Sequence, residues 1–478
     1  MTKSKCNIIL ITIDALRRDR LGCYGSPYST SPNIDRLAEG SLLFENAYTI
    51  GFGTDPIHTS IFTGLLPQSH GIIHHGPHVT RGEVEDFLLV KNHFLPNILQ
   101  EVGYRTFAVD LLGRWHRTGF DHYSGYLANV LQKGRNEIYR RLRERRLLHK
   151  LLPYSISRFF FDSMSEYNSA ATAVQHAKGK ISGTRQPFLL FLHFWDTHTP
   201  YDPPSQYVSI FKDVATEHNT QMDVVLNNIP DARFKRYMTG CAYGTKDSDE
   251  MVHRYLGSIR YVDDQIGNLL SYLESMELLD NTLLILAADH GEHLGEHGVY
   301  FEHHTVFNEI LRVPLILRFP DGKQGRIKAL CQLTDITPTI LDYLDIKRDF
   351  VMDGRSVMPL IEADDTNTLI ERDIFFGRTG ESTGTEDRNG IIKGQYKYTL
   401  GSEESRKCRR CGFIHHEREE LFELENDPLE LHNVAGMQPD KTKELKMSLT
   451  RFLEESRKTM ERRRIRAKIR SPKTSGEI

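Results

Sequence analysis

The sequence predicts an α/β fold in which a large, mostly parallel sheet is flanked by helices and followed by a smaller C-terminal α+β subdomain. Up to about residue 375, short apolar segments alternate with segments whose apolar residues recur at helical spacing. Beyond that point the pattern changes to alternating strands followed by an amphipathic helix. With 478 residues, the chain is long enough for a large domain and a smaller one.

Four apolar segments predict buried strands: Asn7–Ile13, Arg105–Asp110, residues 187–195 and Thr282–Ala288. Their hydrophobicity is continuous rather than alternating, which is typical of parallel strands covered on both faces of a sheet. Residues 249–276 predict a long helix, because their apolar side chains recur every three or four positions. These elements define the core of the large domain.

We expect the large domain to occupy residues 1–375 and the subdomain, with a small antiparallel sheet and a helix, to occupy residues 376–461. Within the first, the Arg-rich residues 127–161 predict a helical insertion. Its charges favour a solvated helix face over a surface for an anionic substrate or a membrane. Residues 462–478 are basic and lack a hydrophobic face, so they predict a disordered tail.

Charge and hydropathy exclude some classes of function. Lys+Arg total 61 against 64 for Asp+Glu, so the chain lacks the basic excess of nucleic-acid-binding proteins. No apolar segment is long enough to span a bilayer, and residues 8–13 are too few for the core of a signal peptide. We therefore expect a cytoplasmic protein with no integral membrane segment and no nucleic-acid partner; a homo-oligomeric state stays open.

The six cysteines are expected to be free thiols in that compartment. Cys408 and Cys411 have the spacing of a metal-binding pair, and His415 and His416 could complete a four-ligand site. No second pair of cysteines follows, however. The favoured interpretation is a basic surface loop with two thiols.

Polar residues follow each predicted strand, and the carboxyl ends of parallel strands share one edge of a sheet. Asp14 follows the first strand, while Asp289 and His290 follow the last. Two carboxylates and an imidazole suit one divalent metal ion. The nitrogen donor favours Mn²⁺ or Zn²⁺ over Mg²⁺ or Ca²⁺, and Mn²⁺ is our first choice.

Residues 54–64 predict a short helix, with Asp55 able to cap its start and Gly64 suited to its end. Thr54 would then lie beside the helix N-terminus, where backbone N–H groups favour an anionic group. A threonine hydroxyl is a weak nucleophile, but a bound metal ion lowers its pKa. Thr54 is therefore a candidate nucleophile.

Several segments carry, in order along the chain, a resemblance to one family. They are residues 9–25, 54–64, 113–116 (GRWH), 198–201 (HTPY), 288–298 and 420–433. Together they resemble the signature segments of sulfatases in the alkaline phosphatase superfamily, over about residues 5 to 435. The resemblance implies an alkaline phosphatase-like fold and hydrolysis of a small anionic ester by residues 1–375.

The resemblance also implies roles for individual residues. Asp14, Asp289 and His290 would bind the metal ion, and Thr54 would be both its fourth ligand and the nucleophile. Arg114 and His116 would hold the sulfate or phosphate oxygens, His198 would protonate the leaving group, and His303 or the adjacent His304 would stand near a second family lysine. His58 replaces the usual motif arginine, while a structural role is favoured for His193.

Two departures from the family bear on the substrate. Ile13-Asp14 replaces the Asp-Asp pair of many sulfatases, as in phosphonate and phosphodiester hydrolases of the superfamily. Thr54 cannot be oxidised to formylglycine, so a covalent intermediate must be cleaved by water attacking sulfur or phosphorus. The resemblance thus favours sulfate esters, whereas the nucleophile favours phosphate or phosphonate esters.

Three other functions remain open. An alcohol acceptor in place of water would make the protein a phospho-head-group transferase. A two-metal phosphodiesterase would need a second ligand set, for which Asp196, His198 and His303 are candidates. A catalytically inactive, sulfatase-like binding module is disfavoured, because Asp14, Asp289 and His290 are all present.

Overall fold

The computed structural model describes residues 5–125, 169–185, 187–216, 219–362, 372–381 and 383–470. The predicted insertion at 127–161 lies outside these ranges. The predicted fold class is confirmed: a large, mostly parallel sheet with flanking helices is joined to a small antiparallel sheet. None of the described helices combines the length and apolarity needed to cross a bilayer.

The strands are β1 (Asn7–Ile13), β2 (Leu42–Tyr48), β3 (Arg105–Asp110), β4 (His122–Gly125), β5 (Phe188–Phe194), β6 (Thr282–Ala288), β7 (His293–Leu294), β8 (Tyr300–Glu302), β9 (Leu315–Arg318), β10 (Gly325–Gln332), β11 (Asp373–Arg378), β12 (Arg388–Lys393), β13 (Tyr396–Gly401) and β14 (Glu419–Glu423). The α-helices of the described ranges are Pro32–Glu39, Thr54–Thr63, Pro67–His70, Arg81–Leu88, Leu95–Glu101, Ala170–Ile181, Ser205–Ser209, Met222–Asn227, Ala232–Cys241, Ser248–Ser275, Asn308–Leu311, Ile336–Tyr343, Met358–Glu362 and Pro439–Arg470.

The large sheet has the order β10-β2-β9-β6-β1-β5-β3-β4 across the described residues. Only β9 runs antiparallel to its neighbours β2 and β6. The three central strands β6, β1 and β5 are buried along their whole length, as the continuous hydrophobicity predicts. Helices on the two faces supply the apolar contacts that bury them.

The register of the central strands determines where their polar ends meet. Ile13 at the end of β1 pairs with Phe194 of β5 on one side and with Ala288 of β6 on the other. The residues that follow, including Asp14 and Asp289, therefore emerge together at one edge of the sheet. This edge is the carboxyl edge at which open α/β sheets bind their ligands.

The C-terminal sheet has the order β11-β12-β13-β14, and all its pairs are antiparallel. The long helix Pro439–Arg470 covers one face, where Leu445 and Leu449 pack on Ile391 and Tyr398. The predicted boundary between residues 375 and 376 falls within β11.

The prediction of a disordered tail is wrong for residues 462–470, because these residues continue the last helix to Arg470. Residues 471–478 lie outside the described ranges. Polar contacts, rather than an apolar face, hold the helix end. Arg463 donates to the carbonyl oxygen of Ser69, and Arg464 pairs with Asp86.

Asp335 is expected to contribute strongly to stability, because its buried carboxylate joins three segments. It accepts hydrogen bonds from the backbone N–H groups of Gln332, at 2.7 Å, and Arg355, at 2.8 Å, and it pairs with Arg372. Asp335→Asn should lower the free energy of unfolding by about 2–4 kcal/mol, since it leaves buried donors without an acceptor. Urea denaturation would measure this loss. The exposed Asp349→Asn is the control, and an equal loss in both variants would contradict the assignment.

Candidate active site

Three buried side chains converge at the carboxyl edge of the central strands. Asp14 follows β1, while Asp289 and His290 follow β6, and all three are fully buried. Nε2 of His290 lies 3.5 Å from Oδ1 of Asp14 and 3.6 Å from Oδ2 of Asp289. One donor atom from each residue therefore faces a common point.

These donor atoms have no protein partner. Both carboxylate oxygens of Asp14, Oδ2 of Asp289 and Nε2 of His290 are buried without a hydrogen bond. Nδ1–H of His290 donates to the carbonyl oxygen of Gly291 at 2.8 Å, which leaves a lone pair on Nε2. Buried polar atoms without partners are costly. The donor set thus fits a divalent cation.

The two carboxylates differ in their electrostatic surroundings. Burial alone would raise the pKa of Asp14, but the imidazoles of His198, His193 and His290 hold it below its usual range. Burial and the neighbouring charge of Asp14 raise the pKa of Asp289. Two buried carboxylates this close repel each other, and a cation between them would relieve that repulsion.

The backbone directly after His290 passes close to the backbone of Glu309, and Gly291 makes this close approach possible. A Cβ atom on Gly291 would lie 1.8 Å from the carbonyl oxygen of Glu309. Any side chain there would displace the segment that carries Asp289 and His290. Gly291 is therefore part of the framework that sets the two donors.

His193 is a site residue for which the sequence favoured a structural role only. Its Nε2 lies 3.6 Å from Oδ2 of Asp14, and its Nδ1 lies 2.8 Å from Oδ1 of Asp110 at the end of β3. Burial opposes its charge, but the hydrogen bond to Asp110 and the nearby carboxylate of Asp14 outweigh it and raise the pKa of His193 to about 10. The available signal was a histidine within an otherwise apolar strand.

Thr54 is the first residue of the predicted helix, which runs from Thr54 to Thr63 and is buried throughout. The prediction that Asp55 caps this helix is wrong, because no side chain caps its start. The carboxylate of Asp55 instead points outward to Arg114 and His116 and accepts from the backbone N–H of Gly76 at 2.8 Å. Asp55 therefore fixes the segment next to Thr54 to the loop after β3.

Arg114 and His116 occupy different positions around Asp55. His116 is buried, with Nε2 3.2 Å from the Asp55 carboxylate. The side chain of Arg114 is 38% exposed and also donates to the carbonyl oxygen of Gly76 at 2.9 Å. Arg114, unlike His116, lines a cavity next to His198, where its guanidinium could bind an anionic group.

His58 contacts protein groups through both ring nitrogens. Nδ1–H donates to the carbonyl oxygen of Thr54 at 2.9 Å, so Nε2 accepts from the hydroxyl of Thr12 at the same distance. Burial and the neighbouring His193 lower the pKa of His58 to about 3, and its ring lies 4.5 Å from that of His193. Both ring nitrogens of His58, the residue that replaces the usual motif arginine, therefore lie against protein groups between Thr54 and β1.

His198 and His303 lie against the three donor residues. The ring of His303 stacks on that of His290 at 4.2 Å, and the ring of His198 lies 5.0 Å from that of His303. Nδ1–H of His198 donates to the carbonyl oxygen of Thr199 at 2.6 Å, which leaves Nε2 for a ligand. His303 and His304 are the two candidates for the position that a second lysine occupies in the family. His303 reaches the carboxyl edge of the sheet, whereas His304 contacts Cys408.

A cavity of about 1200 Å³ adjoins His198 and Arg114. It combines apolar walls with cationic groups. The apolar lining includes Leu111, Leu112, Trp195 and Val208, the cationic side chains are Arg114, Lys212 and Arg254, and the acidic side chains are Asp196 and Asp202. Such a lining suits an anionic ligand with a partly apolar remainder.

Two family models match the chain. The sulfatase model covers residues 6–346, and the model for the C-terminal part of N-sulphoglucosamine sulphohydrolase covers residues 295–459. Among curated proteins, the chain is 26% identical to an arylsulfatase of Clostridium perfringens over 90% of each chain.

Solved structures share the fold. The chain resembles a protein solved in complex with its substrate D-glucosamine-2-N,6-O-disulfate, with a TM-score of 0.68 and 18% identity over 99% of this chain and 100% of the other. It also resembles the phosphonate monoester hydrolase of Agrobacterium radiobacter, with a TM-score of 0.63 and 17% identity over 95% and 96%.

The sulfatase model extends over most of the chain and includes Asp14, Thr54, Asp289 and His290. The fold, the order of the strands and the position of the donor residues at their carboxyl edge agree with that match. The chain belongs to the sulfatase family and is a sulfatase-like ester hydrolase.

Proposed function

We propose that this protein hydrolyses anionic esters with one divalent metal ion and a covalent intermediate on Thr54. The observation that carries the proposal is the set of unpartnered donors on Asp14, Asp289 and His290. Thr54 is tied to this set through His58, which binds the Thr54 carbonyl and contacts His193 beside Asp14.

Asp14, Asp289 and His290 would hold the metal ion, with the hydroxyl of Thr54 as a fourth ligand. An ion bound there lowers the pKa of a coordinated hydroxyl and withdraws charge from the ester. Mn²⁺ is our first choice because the donor set mixes carboxylates with an imidazole; Zn²⁺, Mg²⁺ and Ca²⁺ are the alternatives. Arg114 supplies a fixed positive charge at the cavity rim, where it would bind the ester oxygens.

The reaction has two steps. In the first, the deprotonated oxygen of Thr54 attacks sulfur or phosphorus, the bond to the leaving alcohol oxygen breaks, and His198 donates a proton to that oxygen from Nε2. In the second, His198 takes a proton from a water molecule that attacks the same atom. The bond to Thr54 then breaks, the inorganic anion leaves, and Thr54 is released in the deprotonated form with which the first step began, while His198 again carries its proton.

Thr54 also bears on the class of ester. A threonine has a single hydroxyl, so its ester can be cleaved only by attack on the central atom. Phosphoryl enzymes turn over in this way readily, whereas alkyl sulfates resist it. We therefore favour phosphate or phosphonate esters with a partly apolar alcohol portion that fits the cavity. Sulfate esters are the second candidate, because the sulfatase model matches most of the chain.

The second ligand set predicted for a two-metal site, Asp196 with His198 and His303, does not come together in the described residues. Oδ1 of Asp196 accepts from the backbone N–H of Ala170 at 3.0 Å, and burial raises the pKa of Asp196 to about 7. No group of potential metal ligands in the described ranges includes Asp196. A transferase would use the same first step with an alcohol in place of water. The cytoplasmic location and the oligomeric state stay predictions from sequence.

Thr54→Ala should lower kcat at least about 10³-fold, because it removes the nucleophile. Thr54→Ser keeps a hydroxyl at the same position and should retain measurable turnover. Initial rates would be compared after circular dichroism and thermal unfolding show that both variants fold. Wild-type turnover by Thr54→Ala would refute covalent catalysis through this residue.

A panel of matched aryl esters should separate the two candidate substrate classes. With Mn²⁺ present, we expect kcat/KM for the phosphate monoester, phosphate diester or phosphonate monoester to exceed that for the sulfate monoester at least about tenfold, which is about 1.4 kcal/mol of transition-state binding. A preference for the sulfate would mean that this site cleaves a threonyl sulfate unaided.

Asp196 should make stability depend on pH. Its pKa of about 7 in the folded chain exceeds the value of about 3.9 expected when unfolded, so the folded state binds more protons between these values. Stability should fall as pH rises through this window. Asp196→Asn, which cannot ionise, should match the wild type near pH 4 and be more stable above pH 7. Urea titrations across this range would measure the difference, with the exposed Asp213→Asn as the charge control. An Asp196→Asn effect that is independent of pH would contradict the assignment.

A further inference from the structure

A second cluster of potential metal ligands lies outside the active site and joins distant parts of the chain. It consists of His304, Cys408, Cys411 and His415, hereafter the Cys/His cluster. Nε2 of His304 lies 3.3 Å from Sγ of Cys408 and 3.3 Å from Nε2 of His415. Sγ of Cys411 lies 2.8 Å from Nε2 of His415 and 4.0 Å from Nε2 of His304.

The cysteine segment is a loop with Lys407 and Arg409 exposed, as interpreted from the sequence, but its thiols turn inward to histidines. Cys408 is fully buried, and it meets a histidine that lies 104 positions earlier in the chain. Of the two histidines considered as further ligands, His415 belongs to the cluster. His416 does not, because its Nδ1 contacts Glu420 at 2.9 Å.

The local fold of residues 408–413 aims both thiols at the same point. The backbone N–H of Cys408 donates to the carbonyl oxygen of Phe413, and that of Gly412 donates to the carbonyl oxygen of Cys408. The backbone N–H of Arg410 points at Sγ of Cys408 at 3.3 Å, as expected for a donor to a thiolate. Gly412 has a φ of +82°, which a residue with a side chain rarely adopts.

The histidines are also oriented for metal binding. Nδ1–H of His304 donates to the carboxylate of Glu302 at 3.2 Å, and Arg410 holds the same carboxylate at 2.6 Å. This contact directs Nε2 of His304 to the centre of the cluster, as carboxylates do behind metal-bound imidazoles. His415 likewise presents Nε2, while its Nδ1 is buried without a partner.

We propose that the Cys/His cluster is a structural zinc site with four protein ligands. Tetrahedral zinc, with Zn–S of about 2.3 Å and Zn–N of about 2.0–2.1 Å, separates two nitrogens by about 3.3 Å and a sulfur from a nitrogen by about 3.6 Å. The observed 3.3 Å between the two nitrogens and the 3.3 and 4.0 Å from His304 to the thiols lie close to these values, whereas the 2.8 Å between Sγ of Cys411 and Nε2 of His415 would have to lengthen around the ion.

The donor set distinguishes this site from the catalytic one. Two thiolates and two imidazoles are soft ligands that select Zn²⁺, and four protein ligands leave no open position for a substrate. The carboxylate-rich edge at Asp14 and Asp289 favours harder ions. Zinc at the cluster therefore serves the fold rather than the reaction.

The location of the cluster suggests what the ion stabilises. His304 directly follows His303, whose ring stacks on His290, so zinc would anchor this active-site segment to the loop between β13 and β14. We expect loss of the ion to release both segments. The metal acts here as a crosslink between the large sheet domain and the C-terminal sheet.

Metal analysis of the purified full-length chain tests the proposal. Cys408→Ser and Cys411→Ser should each lose one equivalent of zinc that the wild type retains. Cys23→Ser and Cys241→Ser, whose thiols lie outside the cluster, are the matched controls and should keep it. Asp14→Asn should also keep this zinc, because that substitution affects only the ion at the catalytic edge.

Cobalt substitution gives a readout that does not depend on activity. Co²⁺ bound at the cluster should show the thiolate-to-cobalt charge-transfer absorption of a tetrahedral site, and the band should persist in Asp14→Asn, because the catalytic edge contains no thiol. If the cysteine variants do not fold, a mercurial reagent added to the wild type should release one zinc per chain, detected with a chromogenic chelator. Wild-type protein without zinc, or a Cys408–Cys411 disulfide in its place, would overturn the proposal.

Discussion

The active-site end of this fold depends on the repulsion between charged groups buried where the central parallel strands end. The backbone register places Asp14 and Asp289 side by side, and Asp110 lies at the end of β3, two strands away from β1. Protein groups offset only part of this charge. His193 bridges Asp14 and Asp110, while His290 faces both Asp14 and Asp289. The remaining unpartnered oxygens support the proposed cation at this edge.

Around this charged centre, a ring of contacts holds the reactive groups in place. His58 ties the first turn of the Thr54 helix to β1, and Asp55 ties the same turn to Arg114 and His116. Because adjacent residues of a helix point about 100° apart, Thr54 and Asp55 contact different parts of the protein, and the helix links the strand end to the cavity rim. Arg114 is thus oriented by a carboxylate that is itself fixed.

Much of this architecture could be predicted from the sequence, because continuous apolar strands leave few alternatives. The bounds of β1, β3 and β6 agree with the prediction, and parallel pairing alone brings Asp14 and Asp289 together. The contacts that could not be predicted depend on tertiary packing. From sequence alone, His193 in an apolar strand suggests a structural role, and Asp55 at a helix start suggests a helix cap. In the folded protein, both side chains instead contact residues from other segments. Arg463 and Arg464 are similar cases, since polar contacts to Ser69 and Asp86 order a helix end without an apolar face.

The adjacent histidines 303 and 304 show why local sequence could not assign the two ligand sets. They stand in the same loop after β8, yet His303 packs on His290 at the catalytic edge and His304 packs on Cys408 in the other cluster. Two neighbouring residues thus contact different sites, His304 as a member of the Cys/His cluster and His303 through its packing on His290. A zinc ion at the cluster would restrict the motion of His303 through the peptide bond that joins it to His304. The C-terminal sheet would then act on catalysis through the position of one imidazole rather than through contact with the substrate.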